Sequence, residues 1–393
     1  MNGRERIALT MRHQEPDRVP VMCQLSLGHY LLNTGIPPEE MWYTGEAMAE
    51  AMVRLQRRYR FDGILVNVPG RPQGYLKDAV RFDKAQDGLT VTWRDGGRTV
   101  MPWDDNAHFY QADESKPERA DFETLDPDHL ENIDDFPGYI WNTYHIQSLP
   151  GKVDRGVLKE IPDYFLDTLK LVKAKAGPEV SIHAEVFSPF THFMELFGYQ
   201  NALLALMSDP VKANAILDRL TEATIAWALA QAGEGVDAIL ISSAFAGAPF
   251  LSRRMYKEFV VPCEHRLTQA IKDSGNIVYT HTCGRIGDRL DLMEETGTQG
   301  IDTLDPPPLG NGDLAVAKRD FGQRLFFKGN LNSVEILNYK TEEEVLAEAT
   351  NRIEIGKPGA GYILSTACSV APRVEPWKLE LLTPLAEKIG QYR

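Results

Sequence analysis

The sequence predicts a (β/α)8 barrel, and three observations point to it. Short strand-like runs alternate with helical segments through the second half of the chain. These runs are apolar almost throughout, as parallel strands buried on both faces must be. Polar residues sit at their carboxyl ends, the face on which barrels build their sites. Strands are expected at 179–185, 236–242, 276–280, 300–304, 324–329 and 361–366, and RVPVMC (18–23) and DGILVNV (62–68) raise the count to eight.

The helices between them carry their own signals. One is entered at Ser208-Asp209-Pro210, where Asp or Ser caps and Pro is tolerated at a first helical position. Its apolar residues Ile216, Leu220, Ala223 and Trp227 share a face, and Gly233 and Gly235 close it. Further helices are expected around Tyr256, from near Ile286, and over 313–320. Thr341 and Glu344 form a T-x-x-E capping box for a helix bearing Val345, Ala349 and Ile353 and ending at Gly356. A single barrel domain over 1–393 leaves a surplus at about 69–160. Within it, Asp87-Gly88 and Asp95-Gly96 are hairpin turn signals for a β-meander, so a lid-like insertion is expected between early barrel strands.

Composition excludes several classes. A formal charge of −14 argues against a nucleic-acid partner, whose phosphates need Lys and Arg. No apolar run is long enough to span a membrane, and the charged start is unlike a signal peptide. Four cysteines do not make a disulfide framework, so a cytoplasmic location with reduced thiols is expected.

The chemistry-bearing string is IVYTHTCG, where His281 and Cys283 sit one residue apart at a strand end, joined by Cys368 in ILSTACSVAP. Two thiolates and an imidazole suit Zn2+, and three protein ligands leave a position for catalysis. An H-x-C pair alone is weak evidence; a further cysteine at another strand end strengthens it. Cys23 and Cys263 lack ligand-type neighbours and read as buried apolar residues. Glu185, His183 and Asn330 are candidate lining residues of a substrate cavity, with Tyr256 a weaker one that also reads as packing. Trp93, Trp103, Trp141 and Tyr144 read either as an aromatic lid or as packing of the insertion.

RERIALTMRHQEPDRVPV, GYQNALLALMSDP, FLSRRMYKEFVVP, HTCG and ACSVAP together resemble the uroporphyrinogen decarboxylase superfamily, specifically its zinc-dependent, corrinoid-linked methyltransferase branch. The resemblance covers most of the chain and implies zinc held by His281, Cys283 and Cys368, through which catalysis runs. It also implies a fourth ligand at Asp305, where those enzymes commonly have Glu. The activity it implies moves a methyl group from a small methoxylated molecule, an aryl methyl ether undergoing O-demethylation, to the cobalt of a separate corrinoid protein. The sequence carries no D-x-H-x-x-G string of its own, so the cobalamin would arrive on a partner docked at the barrel mouth. A second copy of the chain is a further candidate partner. The alternatives are transfer from a methylated corrinoid to a thiol such as coenzyme M, decarboxylation of the uroporphyrinogen type, and a non-catalytic zinc-binding barrel. Decarboxylation is disfavoured because CQLSLGHY stands where an RQAGRY-type segment is expected.

Overall fold

Alternate side chains of a strand point to opposite faces, so each strand of a closed sheet feeds one row to the interior and one to the helices outside. The computed structural model describes residues 1–71, 74–132 and 161–392. The strands are β1 (Gly63–Val66), β2 (Ala79–Lys84), β3 (Gly88–Trp93), β4 (Arg98–Pro102), β5 (His108–Tyr110), β6 (Ser181–Phe187), β7 (Ala238–Ser242), β8 (Ile277–His281), β9 (Gly300–Thr303), β10 (Phe326–Leu331) and β11 (Tyr362–Thr366). Seven of them form a parallel sheet in the order β1-β6-β7-β8-β9-β10-β11, with helices outside it. The barrel expected from the sequence is therefore the fold.

The eighth place is filled differently from the expectation. The 18–23 run is not a continuous strand; it makes isolated parallel bridges, Val21 to Leu364 and Leu25 to Val370. The Met22 N–H donates to the Leu364 carbonyl at 3.0 Å, and the Asp62 N–H donates to the Val21 carbonyl at 2.8 Å. This segment thus links β11 to the chain entering β1 and closes the ring. Pro20 has no N–H to give a ladder, which interrupts regular pairing.

A buried charge cluster fixes that closure. Asp62 accepts from Arg6 Nη1 at 2.5 Å, Arg18 Nη1 at 2.9 Å and the Val21 N–H at 2.7 Å. Arg6 sits on the helix Gly3–Thr10, whose Ile7 packs with Met11, Leu65, Leu240, Ile277, Phe326 and Ile363 inside the barrel. Further along the strands, the inward rows turn polar: His183, Tyr279, Asp302 and Lys328, then Glu185, Ser242 and His281 at or near the carboxyl ends.

Elsewhere the helix of Pro210–Gly233 is capped by Asp209, and Thr341 and Glu344 make their capping box. The helix expected from Ile286 starts only at Leu290, because 286–289 instead turn the Arg289 guanidinium into the core, where it donates to the Ala246 and Leu251 carbonyls. Between β1 and β6, the chain forms an antiparallel sheet, β2-β3-β4-β5. Trp93 and Trp103 spend their indole N–H groups on Thr99 Oγ1 and the Gln86 carbonyl, both at 2.8 Å, so they pack and tie the meander itself. Trp141 and Tyr144 lie outside the described residues. No helix among the described residues is long and apolar enough to cross a membrane.

Replacing Asp62 with Ala strands the buried Arg18 guanidinium and leaves Arg6 with Asp17 as its only carboxylate among the described residues, a loss expected to cost about 3–5 kcal/mol. Urea unfolding of Asp62→Ala measures this, and a change under about 1 kcal/mol would remove Asp62 from the closure.

Candidate metal centre

Inward alternation along β8 places Ile277, Tyr279 and His281 on one row, so the His281 ring emerges at the mouth. Two residues on, Cys283 enters a turn at Gly284, whose φ of +79° is a left-handed conformation that glycine adopts without strain. Cys368 occupies the equivalent place two residues beyond β11. The His281 Nε2 lies 3.3 Å from the Cys283 sulfur, and that sulfur lies 3.9 Å from the Cys368 sulfur. All three ligand atoms fall within 4.8 Å of one another.

These separations can be tested against zinc. Tetrahedral Zn–S bonds of about 2.3 Å and Zn–N bonds of about 2.0 Å require sulfurs about 3.8 Å apart and a nitrogen–sulfur gap of about 3.5 Å. The two distances in the structure differ from these by only a few tenths of an ångström. The residues fit the ion.

The imidazole is held from behind. Its Nδ1 lies 2.8 Å from Asp302 Oδ2 and 2.6 Å from Thr303 Oγ1, while the other Asp302 oxygen takes the Lys328 ammonium at 2.7 Å. Lys328 and Asp302 are 1% and 2% exposed, so this is an ion pair inside the barrel. A proton on Nδ1 leaves Nε2 as the metal-facing nitrogen, the arrangement that orients ligating histidines. Burial pushes the Asp302 carboxyl up, but Lys328 and His281 outweigh it and hold it below its ordinary range.

Without a metal, the same cluster stores protons. Burial pushes the His281 imidazole down, yet Asp302 and Cys368 raise it to about 10. The hydrogen bond from the Cys283 thiol holds Cys368 well below the ordinary thiol range, against burial and with help from His281, while that same hydrogen bond, then burial and the Cys368 charge, drive Cys283 well above it. The metal-free pair is therefore one thiolate sharing one proton, facing an imidazolium. A divalent cation would replace two protons there.

Asp305 does not join the three ligand atoms within their span. Its Oδ2 accepts the Gly284 N–H at 2.6 Å, and its Oδ1 is buried with no hydrogen-bond partner. Burial, and the neighbouring Cys368 charge, push its carboxyl up to about 6 against the Gly284 bond.

A cavity of about 510 Å³ opens on this cluster. His281, Cys283 and Cys368 line it, as do Glu185 and Ser242. Burial raises the Glu185 carboxyl to about 7, opposed by His281 and by hydrogen bonds from Ser242 and Asn67. The insertion borders the same space through His108, Lys116 and Arg119.

Three sequence candidates stand elsewhere. His183 lies below the cavity, 2.8 Å from the Tyr279 hydroxyl, and burial holds it down at about 4. Asn330 donates to the Leu304 carbonyl at 2.8 Å and does not line the cavity. Tyr256 is fully buried outside the barrel ring, beneath the Arg289 guanidinium. All three are inward or apolar-side positions, which strand-end reasoning cannot tell from lining ones. Asp302 and Lys328 were missed although they carried a signal, since a carboxylate and an ammonium inside adjacent apolar strands must pair to be buried.

Asp302→Asn is expected to weaken zinc binding about 10–100-fold in chelator competition, and to lower stability as well because it leaves the buried Lys328 ammonium without its counter-charge, so circular dichroism first establishes that the variant is folded. Unchanged zinc affinity would show that the imidazole needs no such support.

Comparison with known proteins adds the lineage. Residues 143–389 match the family model described as uroporphyrinogen decarboxylase (URO-D). The chain is 27% identical over 258 residues to the uroporphyrinogen decarboxylase of Pelodictyon phaeoclathratiforme, covering 61% of this chain and 70% of that one. It is also 27% identical over 207 residues to the methylcobamide:CoM methyltransferase MtaA of Methanosarcina barkeri, covering 53% of this chain and 58% of that protein. A solved methyltransferase from Methanosarcina mazei shares the fold, with a TM-score of 0.69, 18% identity and 99% of both chains covered. The chain belongs to the uroporphyrinogen decarboxylase family, and its relatives there include a corrinoid-linked methyltransferase.

Proposed function

We propose that this protein is a zinc-dependent methyltransferase that takes a methyl group from a small methoxylated molecule, an aryl methyl ether, and delivers it to the cobalt of a corrinoid carried by a separate protein. The observation that supports it is the meeting of one imidazole and two sulfurs within 4.8 Å at the floor of a cavity of small-molecule size. His281, Cys283 and Cys368 would hold the metal. Asp305 would complete the set, a role its unpartnered Oδ1 favours. Bound there, zinc supplies Lewis acidity toward an ether oxygen, or thiolate character to a thiol.

The chain's own residues do the rest. Asp302 keeps the Nδ1 proton on the far side of His281, and Lys328 keeps Asp302 charged. When the ether C–O bond breaks, the oxygen leaves with the electron pair and needs a proton to become a hydroxyl. Glu185 lines the cavity and, with its carboxyl raised to about 7, carries a proton in a substantial fraction of molecules near neutral pH and can give it to that oxygen. The insertion residues His108, Lys116 and Arg119 line the space the donor would occupy.

A second reading, transfer from a methylated corrinoid to a thiol, is favoured by the similarity to the methylcobamide:CoM methyltransferase. The two are separated by direction. Zinc-loaded protein given reduced cobalamin and methoxylated aromatics should convert the cobalt spectrum to that of methylcobalt, and chelation should abolish this. Methylation of a thiol from methylcobalamin, with no methylcobalt from any ether, would establish the second reading instead. Glu185→Gln should lower demethylation about 10²–10⁴-fold and remove the fall in rate expected as pH rises through about 7, because the protonated form is the donor. A full rate with an unchanged pH profile would exclude Glu185 as the acid.

A further inference from the structure

The four cysteines fall into two classes. Cys23 and Cys263 are 5% and 4% exposed, and burial pushes their thiols up to about 11 and about 12. Neither lines the cavity above the candidate metal centre, and a thiol kept protonated in a packed interior is a poor nucleophile. Cys283 and Cys368 are only partly buried, and both line that cavity of about 510 Å³. A small solute entering the cavity therefore meets these two sulfurs and not the others.

Their mutual position suits a second chemistry besides metal binding. The sulfurs are 3.9 Å apart and a disulfide holds them at about 2.05 Å, so bonding asks for an approach of about 1.9 Å. Both residues lie just past strand ends, outside the hydrogen-bonded ladder, so that approach leaves the barrel pairing untouched. A metal takes thiolates, and sulfurs bonded to each other offer none. The pair can hold an ion or a bond, never both.

We propose that Cys283 and Cys368 are a reversible oxidation site, which a peroxide entering the cavity converts to a disulfide with release of the metal. One sulfur, as thiolate, attacks a peroxide oxygen; the O–O bond breaks, hydroxide departs, and the sulfur carries an S–OH group. The second sulfur, as thiolate, attacks the first; the S–O bond breaks with loss of a second hydroxide, and the S–S bond forms. The two hydroxides take up two protons as water, so two electrons pass from the sulfurs to one peroxide. A neighbouring thiol traps the sulfenic acid before irreversible oxidation, which is what makes such a site reversible. His281, alone or with Asp305, then offers the ion no thiolate. The use of this switch rests on the function proposed above: low-valent cobalt survives only where oxidants are absent, so the centre would shut down under the conditions that spoil its acceptor. The disulfide itself does not rest on that reading.

Equimolar hydrogen peroxide added to the zinc-loaded and the metal-free protein tests it. A chromogenic chelator follows the zinc, and differential alkylation with peptide mass mapping follows the cysteines. The expected result is loss of bound zinc and a Cys283–Cys368 cross-link, with Cys23 and Cys263 still open to alkylation after denaturation. Dithiothreitol should restore both thiols and zinc uptake. Cys283→Ser should form no cross-link and leave on Cys368 a sulfenic acid that dimedone traps. Retention of zinc and both thiols, sulfinic or sulfonic acid without a cross-link, or a cross-link through Cys23 or Cys263 would overturn the site. A cross-link confined to the metal-free protein would overturn the release of metal. Methyl transfer is assayed separately on untreated protein. A reversible cross-link in a protein that transfers no methyl group in either direction would keep the oxidation site and remove the proposed function. Transfer that persists after peroxide, with both thiols intact, would remove the oxidation site and keep the function.

Discussion

Cys283 and Cys368 follow strands β8 and β11, which lie three places apart in the sheet, so only strong curvature lets their sulfurs approach to 3.9 Å. In a flat sheet three strand spacings amount to about 14 Å. Curling turns the strand ends inward and replaces that separation with a short path across the mouth. The curl is held by the segment that bridges β11 and β1, and that segment is held by Arg6, Arg18 and Asp62 at the opposite end of the barrel. The candidate centre thus depends on a salt-bridge cluster that takes no part in its chemistry.

A second dependence runs up the interior. Burying an ammonium and a carboxylate costs several kcal/mol before their attraction is counted, and apolar residues of similar size often serve stability as well. The Lys328–Asp302 pair instead fits a positional role, because the Asp302 carboxylate fixes which nitrogen of His281 faces the sulfurs. The pair also adds no net charge beside the ligands. Two thiolates and a neutral imidazole would balance a divalent cation, so the centre and its support would be together neutral until Asp305 joined as a fourth ligand and added a single negative charge.

Much of this was legible in the residues themselves. Strands such as VDAILIS and GYILST are short, apolar and flanked by helix signals, and the structure has strands there with ends shifted by one or two residues. His281, Cys283 and Cys368 could be picked out because soft ligands at strand ends of a barrel must converge on one face. Their spacing could not be read, since it depends on closure through the 20–25 segment, which patterning offers as a regular strand over 18–23 but which makes only isolated bridges beyond Pro20. His183 and Asn330 were misplaced for a related reason. Period-two alternation says that a residue faces inward but not at what depth, and depth decides whether it meets the cavity or the packed interior. Lys116 and His108 could not be assigned to the site at all, because they reach it through a folded-back insertion whose contacts are long-range.

X-ray absorption at the zinc edge of the purified protein tests the central claim most directly. The account predicts one zinc per chain with two sulfur neighbours at about 2.3 Å and at least one nitrogen at about 2.0 Å. In Cys368→Ser, one of the two sulfurs should be lost. Absence of bound zinc, or a shell of oxygen and nitrogen without sulfur, would contradict it.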